Sequence, residues 1–286
     1  MQKQLEIALR IAREAGSILL EAHRCGIAPE QVEHKGVIDL VTPYDRRSEA
    51  YIRAQLAEHF PQDAVLAEEG GQTGSSSRVW CVDPLDGTTN FAHGFPFFCV
   101  SMALLVDGEA QLGVVHAPAL GWTFSCIAGR PARFNNEEMP QLSRRGDLSQ
   151  ALLMFGCGYD RTVRPQRYLG MIHSFMVRTQ GLRRTGSAAL DCCICARGQV
   201  DGYVEVNLHP WDLAAGTLVA RSSGALVTDI DGSPFDLFSG RILLGRPGIH
   251  EAMLAVMTAL VKLLQAFFKS IAGHLSPSLC CTMLQV

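Results

Sequence analysis

No stretch of this 286-residue chain is a long uncharged apolar run, so there is no segment from which a membrane-spanning helix would be built. There is no basic excess either. Lys and Arg number 25 against 28 Asp and Glu, a formal net charge of -3, so any nucleic-acid binding would have to come from a local patch. No internal repeat is visible. No signal-peptide pattern opens the chain, because Arg10, Arg13 and Glu14 fall within its first periodic segment. Ten cysteines are present but lack zinc-finger spacing. Even the dense Cys192-Cys193-Ile194-Cys195 has no second partner group, and it sits in an apolar stretch where Cys behaves as a small hydrophobe. Reduced thiols in a cytoplasmic protein are expected. What remains, 48% hydrophobic and 19% charged, excludes a disordered chain and describes an ordinary globular one.

Leu5, Ala8, Leu9, Ala12, Ala15 and Leu19 recur at helical spacing and predict an opening amphipathic helix. A second helix is expected to follow Asp45, with Ile52, Leu56 and Phe60 on one face. Ala64–Ala67 is a short apolar run ending in Glu68-Glu69-Gly70-Gly71, with a Gly-Ser-rich loop to Ser77. Strand-like runs follow at Phe98–Val106, Gln111–His116 and Thr123–Ile127, the first two joined by Asp107-Gly108, a strong hairpin signal. Consecutive hairpins make the first half α+β. Arg130–Asp147 is polar and irregular, and a subdomain boundary is placed there. Beyond it, strands at Leu152–Phe155, Gly202–Val206, Ala225–Ile230 and Arg241–Leu244 alternate with helices near Gln166–Val177, Ser187–Arg197 and Asp212–Arg221. That alternation favours an α/β second half. The expected division is an N-terminal subdomain over residues 1–140 carrying most candidate ligands, a C-terminal one over 141–257, and an extension over 258–286.

The most informative stretch is Trp80-Cys81-Val82-Asp83-Pro84-Leu85-Asp86-Gly87-Thr88-Thr89-Asn90-Phe91, an apolar strand ending in two aspartates on a stiff turn. Paired carboxylates suit hard divalent cations, and free N–H groups at a following helix start suit a phosphate. Mg²⁺ is usually held by a few carboxylates plus substrate phosphate oxygens. Each acid alone has an ordinary explanation. Asp212 is a candidate N-cap, Glu68 and Glu69 a solvated loop, Asp83 a turn former before proline. Together, four acids at the ends of apolar elements repel one another unless a cation sits among them.

Glu68-Glu69, Asp83-Pro84-Leu85-Asp86-Gly87-Thr88-Thr89-Asn90 and Trp211-Asp212-Leu213-Ala214-Ala215-Gly216 resemble the signatures of the inositol monophosphatase family. Lys35 with Asp39-Leu40-Val41-Thr42 and Asp45 resembles its N-terminal motif, and Arg183-Arg184-Thr185-Gly186-Ser187-Ala188-Ala189-Leu190-Asp191 the bacterial branch, close to the histidinol-phosphatase branch. The likeness runs from about residue 5 to about 257. It implies a layered αβαβα sandwich, a homodimer and a Mg²⁺-dependent, Li⁺-sensitive phosphatase. By this resemblance Glu68, Asp83 and the Leu85 carbonyl would hold a first Mg²⁺, and Asp83, Asp86 and Asp212 a second. Glu68 would also help hold a third ion through water. Thr88, paired with Asp45, would orient the attacking water. Gly87 and Thr88 N–H groups would cradle the phosphate, and Glu205 and Ala188 would contact the substrate hydroxyls. Metal-assisted attack by water needs no phosphoenzyme, and no cysteine sits in a recognisable nucleophile context.

The expected substrate is a small phosphorylated polyol, myo-inositol 1-phosphate by default. Histidinol phosphate is the main rival, since that branch shares the motifs. A bisphosphate nucleotidase tends to carry Lys where Thr89 stands. From another class, bacterial members bind the transcription machinery and support antitermination. Arg183 and Arg184 are candidates for such a surface, against a salt bridge or dimer contact. Three departures from the family stand out. The Gly129–Asn136 hairpin is altered, the Lys35–Asp39 interval is one residue shorter than in the animal enzymes, and residues 263–286 match nothing in it. Leu254, Met257, Val261, Leu264 and Phe268 extend the last helix, which is expected to end by about Gly273 before a loosely held end. Lys262 and Lys269 interrupt a spanning reading, an interfacial helix is a minor alternative, and Cys281 is not at a prenylation position.

Overall fold

The computed structural model describes residues 1–272 except Val37 and Tyr159, with side chains to Lys262. In α1 (Gln2–Cys25) Leu5, Ala8, Ile11, Ala12, Ala15, Leu19 and Ala22 are buried along one stripe, and the helix stops at Gly26, whose φ is 82°. A two-stranded ribbon of β1 (Glu33–His34) and β2 (Leu40–Val41) leads into α2 (Pro43–His59). This helix starts before Asp45 rather than after it. Thr42 is the N-cap, Pro43 occupies the first turn, and the Asp45 carboxylate accepts from the Thr42 N–H at 2.8 Å in a capping box.

The first sheet contains β3 (Ala64–Ala67), β4 (Gly71–Thr73), β5 (Arg78–Asp86), then, after the short α3 (Thr88–Ala92), β6 (Cys99–Val106), β7 (Glu109–Ala117), β8 (Trp122–Ile127), β9 (Arg133–Phe134) and β10 (Glu137–Glu138). Its order is β10-β9-β8-β7-β6-β5-β3-β4, antiparallel except for β3 with β5. The stretch expected as loop after Glu68 thus contains a paired strand, β4. Asp107 and Gly108 have φ of 52° and 84°, the two positive values of the tight hairpin turn expected there. Asn135 and Asn136, at 46° and 71°, make the same turn between β9 and β10. The altered hairpin survives because Asn tolerates this conformation.

The second sheet comprises β11 (Leu152–Phe155), then, after α4 (Pro165–Met176), β12 (Gly181–Arg183), and, after α5 (Ala188–Ala196), β13 (Gly202–Val206). Following α6 (Pro210–Ser222) come β14 (Leu226–Thr228), β15 (Arg241–Gly245) and α7 (Ile249–Ala272). The order is β12-β11-β13-β15-β14, with β12, β11 and β13 parallel and β15 antiparallel to both neighbours. Strand β12 is too short to give a periodicity signal, and β14 covers only the middle of the expected Ala225–Ile230 run. Expectations for residues 273–286 lie outside the described residues.

Three cores bind five layers together. α1 and α2 cover one face of the first sheet, α5 and α6 fill the space between the sheets, and α4 and α7 cover the outer face of the second. Every residue of α5 is buried, and Cys192, Cys193 and Cys195 pack there as free thiols. The α5–α6 crossing is tight: a Cβ on Gly216 would meet the Ala189 carbonyl oxygen at 2.9 Å.

Candidate active site

The aspartate motif is built on a bulge, not on a turn that ends its strand. Asp83 pairs with Ser101 and Asp86 with Cys99, so β5 spends one more residue than β6 between these pairs. Pro84, which has no N–H to offer the ladder, fits at such an irregularity. The bulge bends the strand and places both carboxylates in one cleft, while Gly87 follows at φ 93°. A Cβ there would come within 3.0 Å of the Phe97 carbonyl oxygen, so glycine alone makes this step without strain.

That cleft has a cavity volume of about 120 Å³ and brings together Glu68 from the end of β3, Asp83, Leu85 and Asp86 of β5, Gly87, Thr88, Ala188 at the start of α5, Glu205 of β13 and Asp212 of α6. Asp45 sits beneath it, fully buried, and accepts from the Thr88 hydroxyl at 3.0 Å through Oδ1. Its Oδ2 is taken by the N–H and hydroxyl of Thr42. The Thr88 hydroxyl is also 3.0 Å from the Leu85 carbonyl oxygen.

Each acid is fixed by its neighbours. Leu85 N–H donates to Asp83 at 2.9 Å, and His209 N–H to Asp212 at 2.7 Å, which gives Asp212 the helix-starting role of a capping box inside the first turn of α6. Ser187 hydroxyl and Ala189 N–H donate to Asp86 at 2.6 and 2.8 Å. Lys35 forms ion pairs with Glu68, at 3.0 Å, and with Glu69. Its loop is closed by the Lys35 N–H on the Asp39 carbonyl at 2.9 Å, which fixes where the shortened interval puts it. Among the described residues no three His, Cys, Asp or Glu side chains close into a finished ligand shell.

Electrostatically the cleft is overloaded with negative charge. Burial pushes Asp83 well above the usual carboxylate range, and Glu68, Asp86 and Asp212 push it further. Asp212 rises through burial and then the Asp86 charge, and Asp86 rises through burial despite its donors. Burial takes Glu68 up to about 7 even against the Lys35 ammonium, Glu205 to about 7, and Asp45 to about 6. Oxygen-only donors, buried and mutually repelling, are the set a hard divalent cation would stabilise, so the residues present fit Mg²⁺.

Several supporting residues carry no signal of their own in the sequence. Glu49 of α2 accepts from Glu69 N–H and Gly70 N–H, both at 2.8 Å, and so shapes the Glu68 loop. Asn90 donates to the carbonyls of Phe97 and Thr185, tying the aspartate motif to the loop before α5. Tyr203 hydroxyl donates to Glu205 at 2.5 Å. Arg184 lines the cleft, while Arg183 is an exposed residue at the sheet edge. Neither is in an ion pair among the described residues.

Comparison with known proteins agrees with this arrangement. A family model described as the inositol monophosphatase family matches residues 1–262. An inositol-1-monophosphatase of Synechocystis is 38% identical over 262 residues, covering 91% of this chain and 90% of that protein. Nus factor SuhB of Salmonella typhimurium is 36% identical over 261 residues, covering 90% and 96%. Among solved structures, an inositol monophosphatase from Anabaena (Nostoc) superposes with a TM-score of 0.81 at 37% identity, covering 90% and 96% of the two chains. An extragenic suppressor protein suhB from Bartonella henselae gives 0.83 at 33%, covering 89% and 98%.

Proposed function

The chain belongs to the inositol monophosphatase family, and we propose that it is a cytoplasmic Mg²⁺-dependent phosphomonoesterase of small polyol phosphates, with myo-inositol 1-phosphate as reference substrate. The observation that carries this reading is the Thr88–Asp45 hydrogen bond at the base of a cleft lined by Glu68, Asp83, Asp86 and Asp212. Glu68, Asp83, the Leu85 carbonyl, Asp86 and Asp212 would hold the ions. Bound Mg²⁺ lowers the pKa of water and offsets charge on the phosphoryl oxygens.

The protein's own groups do the rest. The Thr88 hydroxyl has one proton. While it donates to Asp45 its oxygen lone pairs are free to accept from the attacking water. Asp45, with a pKa near 6, is ionised at neutral pH yet basic enough to draw that proton relay forward. Gly87 and Thr88 N–H groups receive the phosphate, and Glu205 and the Ala188 backbone orient the alcohol, so the reacting atoms are held in line.

The test is phosphate release from inositol 1-phosphate and histidinol phosphate with and without Mg²⁺, in the native protein and Asp83→Asn. Mg²⁺-dependent turnover lost in a folded Asp83→Asn supports the reading. Full activity of that variant at saturating Mg²⁺ refutes it. Excess Ca²⁺ should inhibit, because its looser shell misplaces the water.

A second reading, binding to the transcription machinery, is favoured by the similarity to proteins named Nus factor SuhB. Co-purification with transcription complexes, lost on Arg183→Ala, would support it. A homodimer belongs to the proposal as well, and exposed Leu169, Met176 and Val177 on and beside α4 offer it an apolar face.

A further inference from the structure

One side chain holds both walls between which the phosphate cradle is set. Asn90 lies on α3, just past Gly87, and lines the cleft. Its Nδ2 donates to the Phe97 carbonyl at 2.7 Å and to the Thr185 carbonyl at 2.8 Å, which uses both protons of that nitrogen. Gly87 sits in the gap between these two segments. A Cβ on it would come within 3.0 Å of the Phe97 carbonyl oxygen and 3.4 Å of the Gly186 carbonyl oxygen. Gly186, at φ 89°, packs in turn on the Asn90 amide, its own Cβ position lying 3.2 Å from Nδ2.

Thr185 is pinned from a second direction. Its hydroxyl donates to Asp191, a buried carboxyl in the first turn of α5. That carboxyl stands in an otherwise apolar helix, a placement that costs more than one hydrogen bond to a hydroxyl returns. Packing alone does not account for it. The main chain between the two anchors carries groups that face the reaction. Ser187 hydroxyl and Ala189 N–H donate to Asp86, and the Ala188 backbone is the proposed contact for the alcohol. What Asn90 and Asp191 fix is therefore a spacing, from phosphate at Gly87 and Thr88 to alcohol at Ala188.

We propose that Asn90 and Asp191 are positioning residues, clamping Thr185 so that the start of α5 holds the alcohol in line with phosphate seated at Gly87 and Thr88. The proposal rests on the phosphomonoesterase reading and adds the residues that align the two ends of its substrate. Neither residue gives or takes a proton in the reaction. Their effect passes through Phe97, Gly186 and Ala188. A shift of about 1 Å at the start of α5 would leave an ester bound but out of line, a loss on the order of 10²-fold.

The experiment compares kcat and KM with Mg²⁺ for myo-inositol 1-phosphate and for p-nitrophenyl phosphate, whose alcohol has no neighbouring hydroxyls for Glu205 and Ala188 to hold. Asn90→Asp keeps the shape, removes both donors and sets a carboxylate against two carbonyls. It should lower kcat/KM for the inositol ester on the order of 10²-fold, mostly in kcat, and for the nitrophenyl ester roughly tenfold or less. Asp191→Ala should lose activity in the same selective way. Asp191→Asn keeps an acceptor for the Thr185 hydroxyl and should restore the native ratio between the two esters. Thr185→Val cuts the same bond without adding a charge, and it keeps the test available if Asn90→Asp is unstable. Equal losses for the two esters, or a lowered melting temperature with the native ratio kept, would make these residues structural clasps only and overturn the proposal. No hydrolysis of either ester by the native protein would overturn the phosphomonoesterase reading itself, and the proposal with it.

Discussion

Asp45 and Thr88 act through a single hydrogen bond, so their substitutions should not add. Thr88→Ala and Asp45→Asn should each lower kcat on the order of 10²-fold, more than they change KM, and the double variant should match the worse single one. Multiplied losses would show separate roles. The pH profile follows from the same residue: kcat should fall as pH drops through about 6, where Asp45 takes up a proton and can no longer accept one. Stability without metal should run the other way. Asp45, Glu68 and Glu205 are raised to about 6, 7 and 7, above the ordinary carboxylate values they have in the unfolded chain. Between those unfolded values and pH 7 the folded state binds more protons, so stability falls as pH rises through that window. Metal-free protein should therefore melt higher at pH 5 than at pH 7.5, and added Mg²⁺ should raise the melting temperature at pH 7.5 more than at pH 5. A melting point indifferent to both would remove the repulsion argument. Glu68, Asp83, Asp86 and Asp212 are legible in the sequence because each stands at the end of an apolar element, whereas Asp45 and Glu205, in the first turn of α2 and inside β13, are reached by resemblance alone. Ser187 and Tyr203, whose hydroxyls hold Asp86 and Glu205, are not legible, because a lone hydroxyl has no pattern and acquires its partner only through the fold.

Elements are readable to the extent that their signal is local. α1, the Asp107-Gly108 hairpin and β13 follow from periodicity or turn chemistry. The start of α2 differs from expectation because Asp45 is an acid in the first turn that reaches back to its own N-cap; the local signal for it is Thr42-Pro43. The bulge in β5 and the three-residue strands β4 and β12 depend on a neighbour's register, which no local window contains. Two glycines separate turn chemistry from site chemistry. Gly108 has a φ of 84° with open space where a Cβ would stand, so Gly108→Ala should cost about 1–2 kcal/mol in urea unfolding and leave kcat alone. Gly87→Ala meets the same backbone strain together with the Phe97 carbonyl at 3.0 Å, and it should lower kcat/KM as well as stability. Equal kinetic effects from the two would mean that the chain after β5 need not be held this closely.

At the scale of the molecule, the cleft draws its groups from β3, β5, α5, β13 and α6, while α5 and α6 share one core with both sheets. The layer order is legible by resemblance, whereas the packing that makes it rigid depends on small residues such as Gly216 and Ala189 meeting across helices. The outermost layer stands apart from the chemistry. α7 packs Met253, Met257 and Leu260 with α4 against the outer face of the second sheet, and it contributes no residue to the cleft among those described. The family match ends at residue 262, so the chain beyond it lies outside what the relatives share. A stop after Gly273 removes none of the groups assigned to metal, water, phosphate or alcohol. Such a truncated protein should keep its kcat and change at most its solubility or oligomeric state, read by steady-state kinetics beside light scattering. A large drop in kcat with an unchanged melting temperature would mean that the removed segment reaches the cleft, either of its own molecule or of a partner's.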